Sequence, residues 1–342
     1  MWLSNSSVGR KFIMALTGAF LVLFVTFHCL MNAVAIFFPA AYNLVCEFLG
    51  ANWYALVGTG VIAVFVILHI VYALILTVRN RTARGSQRYS IAKRPGNVEW
   101  SSQNMLVLGI VVLAFLVVHM IQFWARMQLA EVLGEESAIP AAAGTLFLQE
   151  AFATPWTLIV YAIGFLALWF HMNHGFWSMF QSVGWNNTIW MPRLKKISCW
   201  WVSIVCGLFL AEGIVFTVNA NRHTYLTDPD LRDQYKEMLA QQIEKDLETP
   251  GMADQIAAMP FEQLGQQLSQ QVEMINEQLK QAEMPEVKQM LQGNPEGQKQ
   301  LESMQKASKA FEKGAKFMDY LQKYDNKPET QQQQPGQPGG AY

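Results

Sequence analysis

The chain has 342 residues, of which 52% are hydrophobic and only 15% charged, with a formal net charge of −1. So apolar a text leaves no run of basic residues for a nucleic-acid partner, and its long stretches lack the polar face that soluble helices keep. The near-neutral total describes neither half: up to Asn221 there are 12 Lys and Arg against 7 Glu and no Asp, and beyond it 13 against 19.

Five apolar stretches come first, at about 12–37, 54–78, 104–129, 154–180 and 198–220. Each exceeds the roughly 20 residues that cross a hydrocarbon core. The first follows Arg10-Lys11 but is longer than a signal h-region and lacks a small-residue cleavage site, so it reads as a retained helix. Basic residues mark one side: Arg10 and Lys11, then Arg79, Arg81, Arg84, Arg88, Lys93 and Arg94, then Arg193, Lys195 and Lys196. The opposite loops carry Glu47, Glu131, Glu135, Glu136 and Glu150, with Arg126 the exception. The positive-inside rule predicts a cytoplasmic amino terminus and an extracytoplasmic tail after the fifth span. The expected class is an all-α membrane protein with a five-helix domain over 1–221.

The tail begins with a good helix start, Thr227-Asp228-Pro229. Leu231, Tyr235, Met238, Leu239 and Leu247 then share a face, and Phe261, Leu264, Leu268, Val272, Ile275 and Leu279 keep the same 3–4 spacing. A third helix is expected over about 297–324. Pro250-Gly251, Pro285 and Asn294-Pro295 separate these segments. An amphipathic helical extension over 222–324 is expected, followed by a disordered Gln/Pro/Gly-rich end at 325–342.

His28, His69, His119 and His171 each fall inside a different apolar stretch. An ionisable group within a span is a functional-site hypothesis by default. His28 and His119 lie 9 and 10 residues before the ends of stretches one and three, on the acidic side; His69 and His171 each lie 9 before the ends of two and four, on the basic side. Sidedness therefore pairs His28 with His119 and His69 with His171, with the two levels about 10 Å apart along the membrane normal. One neutral imidazole from each of two opposed helices is what bis-histidine haem ligation needs, so these four are the candidate metal ligands of two haems b. His174, one turn below His171, meets either a haem propionate or headgroup water. Arg10, Arg79 and Arg81 are placed to pair with propionates of the inner haem. Asn32, one turn beyond His28, is a candidate to orient a propionate or, as the resemblance given below implies, a quinone carbonyl. Glu212, the only acid deep in a span, either relays protons or hydrogen-bonds a haem or the helix backbone. The four cysteines form no CxxCH and no zinc pattern and read as small core residues.

Ser6-Ser7-Val8-Gly9-Arg10-Lys11, followed by Met14-Ala15-Leu16-Thr17-Gly18 and then His28 and Asn32, resembles the opening of one family, as does HMNHGFWSMFQSVGWN at 171–186. Both look like the membrane-anchor cytochrome b subunit of succinate dehydrogenase or fumarate reductase, in its single-polypeptide, five-helix, dihaem branch. The resemblance covers about 1–221. One departure is Met31 before Asn32, where family members often have Gly. The resemblance implies that His28 and His119 hold a distal haem and His69 and His171 a proximal one. It implies an FAD-containing flavoprotein and an iron–sulfur subunit docked on the cytoplasmic face of a bacterial inner membrane. Membrane quinone, menaquinone in the two-haem branch, would be the electron partner, and an acid in the first outer loop, here Glu47, a proton relay. The chain itself has no Gly-rich nucleotide motif and no cysteine cluster, so it carries no dicarboxylate chemistry alone. The alternatives are a four-histidine cytochrome b of another quinone-linked dehydrogenase, and a histidine-lined transporter. A transporter would favour helices broken at mid-membrane and ligands at a single level.

Overall fold

A computed structural model describes residues 6–50, 52–84, 99–134, 139–284, 287 and 294–323. Arg88, Lys93, Arg94, Glu135, Glu136, Pro285 and the 325–342 segment lie outside the described residues. Among those described there is no strand; the protein is all-α, and five of its helices are long and apolar enough to cross a membrane. The chain divides into two units, one built from Met1–Glu135 with Ala141–Tyr225, the other from Glu136–Pro140 with Leu226–Tyr342.

In the first unit, α1 spans Ser7–Phe37 and starts where the Ser6 side chain accepts the Gly9 N–H at 2.9 Å; such a cap stabilises a helix by about 1 kcal/mol. A short helix α2 (Pro39–Phe48) follows, with Pro39 in its first turn. Helix α3 (Trp53–Arg84) is the second span, and α4 (Met105–His119) the third, continued by a π-helix over Met120–Leu129. Helix α5 (Gly144–Phe152) is short, α6 (Pro155–Ser182) is the fourth span, and α7 (Trp190–Asn221) the fifth. Outward residues such as Leu23, Val61, Ile67, Ile121 and Leu166 are exposed and apolar, as a lipid-facing surface requires.

Two of these elements differ from the sequence expectation. α7 begins eight residues before the apolar stretch, so Lys195 and its basic neighbours ride on helix rather than loop; hydropathy locates the apolar core of a span and is blind to helical turns beyond it. α2 and α5 occupy what reads as outer loop. Both are short apolar segments, and α5 is buried along nearly its whole length against α2, α6 and α7.

The arrangement of spans sets the site. α3 packs on α1, α1 on α6, and α6 on α4, while α7 packs against both α1 and α6. Thr59 on α3 donates to Gln128 Oε1 at 2.8 Å, joining α3 to the extension of α4 and closing a ring of four helices. Neither diagonal of that ring, α1 with α4 or α3 with α6, is among the closely packed pairs.

The second unit contains α8 (Pro229–Leu247), α9 (Met252–Ala257), α10 (Phe261–Ala282) and α11 (Pro295–Gln322). Asp228 caps α8 by accepting from Leu231 N–H at 3.1 Å, and Pro229 opens the helix, in line with the sequence signal. Leu231, Tyr235, Leu239 and Ile243 from α8 are buried with Leu264, Leu268, Phe317, Met318 and Leu321, whereas Met238 and Leu247 are only half-buried. Each buried side chain of this size contributes about 1.5–3 kcal/mol. Gly265 and Gly314 let the helices close tightly, since a β-carbon at Gly314 would lie 3.1–3.3 Å from Leu268, Ile243 and Leu239.

Candidate functional site

The four intramembrane histidines meet across the two diagonals. His28 on α1 faces His119 on α4 with ring centroids 5.7 Å apart, and His69 on α3 faces His171 on α6 at 6.1 Å. These are the pairs that helix sidedness selects. The levels are further apart than depth counting gives. His69 meets α1 at Thr17, with Nδ1 3.3 Å from the hydroxyl, eleven residues before His28. On the other side, His119 meets α6 at Tyr161, ten residues before His171. At 1.5 Å per residue the two counts put the levels about 15–17 Å apart.

An ion bonded at about 2 Å to each of two imidazoles holds their nitrogens about 4 Å apart, with the ring centres further out. The observed separations of 5.7 and 6.1 Å are of that order. All four rings are half-buried rather than packed over, and His171 Nδ1 is buried with no hydrogen-bond partner among the described residues. Gly18 on α1 and Gly109 on α4 leave open backbone beside the second pair, with only the His69 and His171 rings near their would-be β-carbons. The residues present thus fit a metal held between imidazoles at each level.

Each level has its own surroundings. Around the first, Phe24 stacks on His28 at 5.6 Å, Phe123 lies 5.3 Å from His119, and Phe115 6.0 Å from it. Asn32 donates to the His28 carbonyl at 2.8 Å, and its amide nitrogen lies 3.3 and 3.4 Å from the two ring nitrogens. Tyr42 on α2 donates to Asn32 Oδ1 at 3.2 Å. Between the levels, Phe20 and Phe65 stack at 4.0 Å. Near the second level, His174 Nδ1 lies 3.4 Å from Glu99 Oε2, and Lys195 donates to Glu99 Oε1 at 2.6 Å. Trp177 lies against both side chains, 4.7 Å from the His174 ring and 4.2 Å from Lys195 Nζ. Partial burial pushes the Glu99 carboxyl up, but the hydrogen bonds from Lys195 and His174 outweigh it and hold it below its usual range.

The remaining candidates are more dispersed. Glu212 is buried on α7, where it accepts from the Cys29 thiol at 3.7 Å, one residue from His28. Glu47 is exposed on α2; the residue by which α2 reaches the first pair is Tyr42. Arg10 is buried in the first turn of α1, whereas Arg79 and Arg81 are exposed on α3. Arg126, the exception to the charge asymmetry, pairs with Glu150, so it adds no net charge to that side.

Sequence reasoning missed Tyr42, Glu99, Gln122 and Tyr161. A tyrosine within a span is a visible signal, but its relation to His119 needs the packing of α4 on α6. Comparison of the chain with protein-family models, with curated proteins and with solved structures finds no match.

Proposed function

We propose that the chain is the membrane-anchor dihaem cytochrome b subunit of a succinate:quinone oxidoreductase, carrying electrons between an iron–sulfur subunit and a membrane quinone, menaquinone. The observation that carries this reading is the pair of facing histidine couples, one ligand from each of four spanning helices, at two levels. The sequence runs at 6–32 and 171–186 supply the family.

In this reading His28 and His119 hold the distal haem, and His69 and His171 the proximal one. Bound haem b supplies a one-electron carrier at each level. Asn32 and Tyr42 fix His28, and the surrounding phenylalanines keep water from the first pair. Glu212 and Glu47 flank that end and hold the protons that two-electron quinone reduction consumes. At the basic end, His174, Arg10 and Arg79 form the haem periphery, and Lys195 with Glu99 braces α7 there. That end faces the cytoplasm, where the flavoprotein and iron–sulfur subunits dock, and the second unit is extracytoplasmic.

The test is a dithionite-reduced difference spectrum with pyridine haemochrome quantification on the purified chain, repeated for His69→Ala and His119→Ala. Two haems b per chain, with each substitution removing one, is the expected result. A chain without haem, or with haem indifferent to both substitutions, overturns the reading.

A further inference from the structure

An imidazole offers a lone pair to a metal through Nε2 only if its proton sits on Nδ1, and the partner of Nδ1 decides which tautomer is held. His119 Nδ1 lies 3.2 Å from the Tyr161 hydroxyl, and that hydroxyl donates to Gln122 Oε1 at 2.9 Å. A tyrosine hydroxyl has one proton. With that proton given to Gln122, the oxygen only accepts, so His119 must donate from Nδ1 and its Nε2 is left free. Gln122 belongs to the π-helix that begins at Met120, immediately after His119; such wide turns gather at functional sites. The second level repeats the logic. Thr17 Oγ1 donates back to the Ile13 and Met14 carbonyls at 3.0 and 3.1 Å, so towards His69 Nδ1, 3.3 Å away, it too only accepts.

We infer that Tyr161, oriented by Gln122, and Thr17 are positioning residues: each is a hydroxyl whose own proton is already committed, and each forces one histidine of its pair into the Nδ1–H tautomer. The inference rests on the haem reading above and adds to it the groups that decide which ring nitrogen faces the metal. A donated Nδ1–H bond also makes the imidazole a more basic ligand, which favours the oxidised metal. Removing the acceptor should raise the potential of that one centre.

The arrangement has a consequence that a space-filling role for Tyr161 lacks. In Gln122→Leu the tyrosine hydroxyl loses its acceptor and is free to donate to His119 Nδ1, holding the tautomer whose Nε2 carries a proton and cannot ligate. Gln122→Leu is therefore expected to be more damaging than Tyr161→Phe, and the double variant is expected to recover. The experiment is haem stoichiometry and a potentiometric titration of the α-band on the purified full chain, for the wild type, Tyr161→Phe, Gln122→Leu, the double variant and Thr17→Val. The expected results are these. Tyr161→Phe keeps both haems and raises one midpoint potential. Gln122→Leu loses occupancy at that same haem, and the double variant regains it. Thr17→Val raises the other potential only. If the double variant is as depleted as Gln122→Leu, or all potentials stay at the wild-type values, the inference is overturned while the haem reading stands. A wild-type chain without haem overturns both.

Discussion

Gly164 on α6 lies directly against the ring of Phe115 on α4, so closely that a β-carbon there would come within 2.5–3.0 Å of three ring and side-chain atoms. Phe115 is wedged between that glycine and the His119 ring, and it also meets Tyr161 edge-on at 5.0 Å. Any side chain at 164 must push Phe115 towards the first histidine pair. Gly164→Ala is expected to cost about 1–3 kcal/mol, the usual range for overpacking, read as a lower midpoint in detergent thermal unfolding. On the proposed function, the haem lost on heating is first the one between His28 and His119. Equal loss of both haems would show that the ring is not the transmitting element.

The Glu99 cluster gives a pH dependence. Its carboxyl is held below the usual range in the folded chain, so the stability it adds is present above the unfolded carboxylate value of about 4.3 and disappears as pH falls through the lowered folded value. The wild type is expected to exceed Glu99→Gln by a small margin at neutral pH, and the two are expected to converge below about 4. With Glu99 and Lys195 both partly exposed, that margin is of the size of a surface ion pair, about 0–1 kcal/mol. Thermal midpoints across the pH series check the sign.

The cysteines differ in accessibility. Cys29 and Cys206 are buried, Cys199 is exposed, and Cys46 beside Tyr42 has its thiol pushed up to about 12 by burial. Alkylation requires the thiolate and access to it. Maleimide at pH 7–8 is expected to label Cys29, Cys46 and Cys206 only after denaturation, as mass spectrometry of the labelled peptides will show. Early labelling of Cys46 would mean that α2 is not seated as described.

In the second unit, a β-carbon at Gly314 of α11 would lie 3.1–3.3 Å from Leu268, Ile243 and Leu239. Gly314→Val adds branched bulk to a packed seam and is expected to destabilise that unit by about 1–3 kcal/mol. Circular dichroism melting of the full chain should show the helical loss and, on the proposed function, haem content should be unchanged.

What could be read from the sequence was whatever depends on local apolarity and on counting along a helix. The five spans, the cap at Asp228 and the sidedness of the four histidines belong here. Other features depend on packing between segments far apart in sequence. Nothing in residues 144–152 announces that they form a buried helix beside α7. The approach of Tyr161 to His119 comes from how α6 lies on α4, and Glu99 meets His174 on α6 and also Lys195, which is on helix because α7 starts before its apolar stretch does. Arg126 looks anomalous in a charge count and is ordinary once Glu150 is beside it.

Because the histidine pairs sit on diagonals, neither can be completed by helices that follow one another in the chain. His28 waits for the third span and His69 for the fourth, roughly 90–100 residues of synthesis later in each case, about 5–20 s at ordinary elongation rates. During that interval each half-site is an unpaired imidazole in a nascent helix. A metal captured early would have one protein ligand and an open face. On the proposed function the two pairs are therefore completed in order, the first when the third span arrives and the second only with the fourth.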